Sequence, residues 1–173
     1  MPRAATYSAM EALRDGRRLE IRALRPDDRG GFAEAVGQSS EESLRRRFFA
    51  PKRSFTEQEI SFFVEVDFLN HVALVAVTED GGRPVIVGGG RYIVVKPGQA
   101  EIAFTVADQC QGQGVGAALM RHVTAIAREA GIKELIAEVL PENTPMLRLL
   151  EKSGLRLSTR RERGVVHVTL QLS

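Results

Sequence analysis

Between Gly112 and Gly116 the chain reads GQGVG, three glycines at alternate positions, and an apolar, alanine-rich run follows at once. Glycine loses more backbone freedom on folding than any other residue. Three of them at the mouth of a helix point to an awkward turn or to a ligand that comes very close to the backbone. The chemistry they suit is anion binding. Bared N–H groups can cradle a phosphate, and the positive end of the helix dipole adds about half an elementary charge. Taken alone, the loop leaves three readings open: a phosphate cradle, a dinucleotide site and a plain strand-to-helix crossover. Gly112, Gly114 and Ala117 satisfy G-x-G-x-x-A, but DQCQ separates them from the preceding strand, and only one further strand–helix pair follows. That is too little chain for a doubly wound sheet. A nucleotide P-loop fails because no Gly-Lys-Ser/Thr follows.

Other reactive side chains are sparse. Cys110 precedes the loop with no histidine at a pairing distance in sequence, so it reads as a packing residue. His71, His122 and His167 are scattered, and no metal-ligand spacing is present, so no metal is expected. The 173 residues suffice for one domain with a real core. Lys and Arg number 24 against 22 Asp and Glu, a net charge of +2, which gives no electrostatic case for nucleic acid or an anionic membrane. Arg45–Arg47 reads as a solvated helix face. One cysteine excludes an internal disulfide and suits a reducing compartment. No apolar run approaches the ~20 residues of a membrane span, and the first residues lack a signal-type apolar stretch. The expectation is a soluble, cytoplasmic protein.

The elements that must position the loop follow from periodicity. RLEIRAL (Arg18–Leu24) alternates as a strand. Short helices are expected after Asp27 or Asp28, after Ser39 and Ser40 (with Glu42 in a capping box), and after Thr56 with Glu59. Strands are expected over His71–Asp80, Pro84–Val95 (with Gly88–Gly90 marking a bulge or close packing) and Ala100–Ala107. Val115, Leu119, Val123 and Ala127 recur at helical spacing up to Gly131. A strand over IKELIAEVL, a helix capped by Asn143 with Pro145 in its first turn and Gly154 at its end, and two strands joined near Arg163–Gly164 complete the chain. Residues 1–17 read as an arm, loose or a short helix, and 18–173 as a single α/β domain.

Two blocks carry a family resemblance. Val106 followed after four residues by Gln111-Gly112-Gln113-Gly114-Val115-Gly116 matches V-x-x-x-x-[QR]-x-x-G-x-[GA], the signature of the GCN5-related N-acetyltransferases (GNAT). NTPMLRLLEKSGL resembles the family's next block, N-x-x-A-x-x-L-Y-E-K-x-G-F. The element order fits from about residue 18 to the end. SSEESLRRRFF, HVALVAV, AEIAFTVADQCQGQGVGAALM and AEVLPENTPMLRLLEKSGL further resemble the acetyltransferase domain of bacterial protein lysine acetyltransferases, enzymes that act on acyl-CoA synthetases.

The resemblance implies an α/β (α+β) GNAT fold. That is a mixed, mostly antiparallel sheet of six to seven strands, flanked by about four helices and splayed around an acetyl-CoA site. Backbone N–H groups of Gln111, Gly112, Gln113, Gly114, Val115 and Gly116 would hold the pyrophosphate. The strand edge at Phe104, Thr105 and Val106 would pair with the pantetheine arm, and Asn143 would cap its helix and contact the arm. Acetyl transfer to a primary amine, a protein lysine or a small molecule, requires the amine to lose a proton first. Glu101, at the start of the strand that feeds the loop, corresponds to the family's base; Glu138 is the second candidate. His71 opens a block of the narrower resemblance and is a weaker site candidate. Leu150 stands where the family has tyrosine, and the only tyrosines are Tyr7 and Tyr92, so a general acid is in doubt; a thiolate of pKa roughly 8.5 can leave unprotonated. An acyl-CoA-binding sensor without catalysis is the alternative. The oligomeric state stays open, a homodimer included.

Overall fold

Apolar alternation and two near-continuous apolar runs become strands of one sheet in the computed structural model, which describes residues 3–28, 66–107 and 112–172. In chain order these are β1 (Ser8–Ala12), β2 (Arg18–Ala23), β3 (His71–Asp80), β4 (Arg83–Lys96), β5 (Gln99–Val106), helix α1 (Val115–Glu129), β6 (Glu134–Val139), helix α2 (Thr144–Glu151), β7 (Arg156–Glu162) and β8 (Val165–Gln171). The helices expected after Asp28, Ser40 and Thr56, together with Arg45–Arg47, Cys110 and Gln111, lie outside the described residues. Pro26–Asp28 forms a single 3-10 turn. Asp28 closes it backwards: its carboxylate accepts from the Arg25 N–H at 2.6 Å and grips the Arg22 guanidinium through two contacts of 2.8 Å.

The sheet has eight strands in the order β1-β2-β3-β4-β5-β6-β8-β7. The strand beyond the expected six to seven is β1, formed where an arm or short helix was expected. Its half-buried positions are Ala9 and Glu11, so no apolar alternation announces it. The free edge of β2 supplies the ladder instead, pairing from Ser8↔Arg22 to Ala12↔Arg18.

Strand β3 is buried on both faces, which explains its unbroken apolar run. Val72, Leu74 and Ala76 face the main core with α1; Ala73, Val75 and Val77 face a second cluster with Leu24, Val66, Phe68 and Ile86. Helix α1 lays Val115, Leu119, Val123 and Ala127 on the sheet, all fully buried. Val115, Leu119 and Val123 each contribute about 1.5–3 kcal/mol of burial, so α1 is fixed firmly over β4 and β5. Gly131 and Gly154 close the two helices at φ 86° and 80°, as their sequence positions imply. No helix among the described residues is long and apolar enough to cross a membrane.

One pairing differs from the rest. β5 and β6 are parallel and share only Gln99↔Glu134, Ala100↔Leu135 and Glu101↔Ile136. Beyond that point β5 stays with β4 as far as Val106, and β6 stays with β8 as far as Val139. Each keeps its antiparallel partner, so the two separate.

Candidate active site

The separation of β5 from β6 opens a cavity of about 440 Å³. From Ile102 to Thr105 the β6-facing edge of β5 has no strand partner among the described residues. Such an edge presents backbone donors and acceptors to an extended ligand. At 3.3–3.4 Å per residue, Glu101 and Val106 stand about 17 Å apart along β5. One end of the cavity is therefore a carboxylate and the other a glycine loop.

Glu101 lies at the apex of the splay, exposed into the cavity and the last β5 residue to pair with β6. Phe104, Thr105, Val106, Gly112, Gly114, Val115, Gly116 and Asn143 line the same cavity. Gly112 and Gly114 adopt φ 83° and 93°, and nothing lies within 4 Å of where a Cβ would project. An L side chain would be strained in that conformation. Gly114 is the N-cap of α1 and no side chain caps it among the described residues, so the first-turn N–H groups remain bare toward the cavity. A polyphosphate fits this end: open space, bare donors and the positive end of a 15-residue helix.

Asn143 caps α2, its Oδ1 accepting from the Met146 N–H at 3.3 Å, and also borders the cavity. Gln113 turns the other way. Its carbonyl accepts from the Arg14 N–H at 3.1 Å, and its Oε1 from the Asp15 N–H at 3.2 Å. Glu138 lines the cavity from β6, with Oε1 3.7 Å from His167 Nδ1 on the neighbouring strand.

The remaining candidates have structural surroundings. His71, Ile93 and Glu101 stand in one row across β3, β4 and β5, but His71 is buried and does not line the cavity. Arg91 Nη1 donates to its Nε2 at 2.8 Å. A guanidinium cannot accept, so this nitrogen is the acceptor of the bond. His122 on α1 contacts the Tyr7 hydroxyl through Nδ1, and its Nε2 stands 3.5 Å from Glu11 without hydrogen-bond alignment. Arg121 bonds the other Glu11 oxygen, so β1 is fastened to α1.

Neither tyrosine reaches the cavity. Tyr92 is buried in the core, and burial, then the Asp67 charge, pushes its hydroxyl up. Tyr7 is raised by burial, then by Glu11 and Glu129. Leu150 is wholly buried in the core, and its neighbour Leu149 lines the cavity instead. Among the described residues no three His, Cys, Asp or Glu side chains cluster as a metal site. Arg14, Arg148 and Lys152 also line the cavity, and sequence reasoning missed all three. Arg14 is 98 residues from Gly112, and no local pattern marks such a residue.

The family model "Acetyltransferase (GNAT) domain" matches residues 18–156. Acetyltransferase Pat of Mycolicibacterium smegmatis is 30% identical over 158 residues, 89% of this chain and 46% of its own length. The chain thus spans about half of that relative. The crystal structure of the GNAT domain of Streptomyces lividans PAT superposes with a TM-score of 0.86 at 34% identity, over 95% of this chain and 96% of that one. The Salmonella typhimurium protein yncA, solved with its cofactor acetyl-CoA, shares the fold at a TM-score of 0.72 and 19% identity, over 90% of this chain and 94% of its own.

Proposed function

The chain belongs to the GNAT acetyltransferases, and on that premise we propose that it moves an acetyl group from acetyl-CoA to a protein lysine, with Glu101 as general base. The substrate supplies the thioester carbonyl. The chain supplies a cradle, a track and a base. Bare N–H groups at Gly112–Gly116 hold the pyrophosphate. The edge from Ile102 to Thr105 pairs with the pantetheine arm. Glu101, one strand-length away, takes the proton that makes the lysine amine nucleophilic. The position of Glu101 at the splay apex carries this reading, supported by the similarity to Acetyltransferase Pat and to the PAT domain. The same reading takes 18–173 as one catalytic domain in a reducing cytoplasm, with residues 1–17 as an arm that adds β1 to its sheet.

Replacing Glu101 with glutamine tests the base. Turnover should fall roughly 10²–10⁴-fold, the span of general-base contributions, while titration shows acetyl-CoA still bound. Unchanged turnover removes Glu101 from the role. CoA-thiol release with lysine peptides and an acyl-CoA synthetase, against a panel of small amines, tests the acceptor. Transfer to small amines alone overturns the lysine reading and leaves an amine acetyltransferase. Binding without any transfer supports the sensor reading, which the burial of Leu150 and the exclusion of both tyrosines from the cavity favour.

A further inference from the structure

The tip of the β1–β2 hairpin touches the glycine loop at three points. The Arg14 N–H donates to the Gln113 carbonyl, Arg14 Nη1 donates to the Gly112 carbonyl at 3.0 Å, and the Asp15 N–H holds the Gln113 side chain. The tip itself is stiff. Leu13 is buried, its N–H donates to the Arg17 carbonyl at 2.9 Å, and Asp15 binds the Arg17 N–H and Nε at 3.0 and 2.9 Å.

These contacts dictate where the loop's donors point. In a planar trans peptide the carbonyl of one residue and the N–H of the next are directed oppositely. The carbonyls of Gly112 and Gln113 face the hairpin, so the N–H groups of Gln113 and Gly114 face away from it. Gly112 and Gly114 border the cavity. The guanidinium of Arg14 lines the cavity too, and only one of its five N–H donors is used among the described residues. A fixed, planar fork at the glycine end of a cavity suits a phosphate.

We propose that Arg14 is a phosphate-binding residue of the acetyl-CoA site, and that the hairpin tip is the brace that aims the loop's N–H groups into it. The proposal rests on the acetyl-CoA assignment of the cavity. It makes the segment before residue 18 part of the cofactor site. The ligand feature it recognises is a phosphate at the nucleotide end of CoA, either the pyrophosphate or the 3′-phosphate.

Calorimetric titration of Arg14→Ala, Arg14→Gln and Arg14→Lys with CoA, dephospho-CoA and pantetheine tests it. Arg14→Ala and Arg14→Gln should each weaken CoA binding roughly five- to twentyfold, the value of one charge-assisted contact. Arg14→Lys, which keeps the charge and loses the fork, should fall between them and the parent chain. Pantetheine, which carries no phosphate, should bind all four proteins alike. A loss that persists with dephospho-CoA assigns Arg14 to the pyrophosphate; a loss confined to CoA assigns it to the 3′-phosphate. CoA affinity unchanged in Arg14→Ala, equal losses with pantetheine, or Arg14→Gln binding as well as Arg14→Lys would each overturn the proposal. Failure of the unsubstituted chain to bind CoA would instead overturn the acetyl-CoA assignment itself.

Discussion

Two sets of glycines near the cavity serve opposite needs. Gly88 and Gly90 in β4 lie outside the left-handed region and have no room. A Cβ on Gly90 would stand 2.8 Å from two ring carbons of Phe104 and 3.2 Å from Val123 of α1; one on Gly88 would stand 2.9 Å from Val115 and 3.0 Å from the Thr105 carbonyl. Gly112 and Gly114 have the reverse: ample room and a left-handed backbone. The first set is selected for missing volume. It lets α1 lie close on the sheet, which brings the N-terminus of that helix over β5. The second set serves conformation, and it shapes the backbone proposed to meet the phosphate. Stability should therefore be concentrated in β4 and ligand affinity in the loop.

The comparison breaks if the substitutions do not sort this way. Gly90→Val should have the largest effect, a loss of about 3 kcal/mol or more, because overpacking a buried site forces the Phe104 ring or α1 to move. Thermal denaturation would register it as a fall of roughly 6–12 °C for a chain of this length. Gly88→Ala should lose about 1–3 kcal/mol by the same measurement. The Thr105 carbonyl is backbone and cannot swing away as a side chain end could. Gly114→Ala should lose about 1–2 kcal/mol from left-handed strain. Its sharper effect is on binding: a loop that relaxes to relieve that strain gives up a similar amount, about 5–30-fold in CoA affinity by titration. Gly116→Ala should be the mildest in folding. Its Cβ meets Leu149 at 3.6 Å, an ordinary contact, and exchanging a helical glycine for alanine raises stability by up to about 1 kcal/mol. CoA affinity should still fall, because Gly116 borders the cavity. A Gly116→Ala protein that is more stable and binds CoA undiminished would remove this residue from the cradle.

Much of this architecture was legible residue by residue. The period of Val115, Leu119, Val123 and Ala127 marked α1, Gly131 its end, and Asn143 and Gly154 the limits of α2. Gly88–Gly90 raised the choice between a bulge and close packing, and both occur: the β3–β4 register shifts between Ala76 and Val77, beside Gly88. The illegible parts share a cause. β1 has almost no apolar alternation and exists because β2 offers an edge. Gln113 sits inside the glycine motif, but its side chain is claimed by Asp15 from a hairpin distant in sequence. Leu150, at the motif's tyrosine position, faces the core while Leu149 faces the cavity.

Periodicity, caps and the demand for a left-handed backbone at Gly112 and Gly114 are properties of neighbours along the chain, so the amino-acid order alone determined α1, α2, most of the described strands and the loop that suits a phosphate. Which strand edge meets which partner is decided between residues far apart. Any backbone N–H can pair with any carbonyl, and packing alone selects among them. Only the tertiary structure made β5 and β6 part after Glu101↔Ile136, turned that carboxylate into the end wall of a cavity, and carried Arg14 across 98 residues to the loop that it braces.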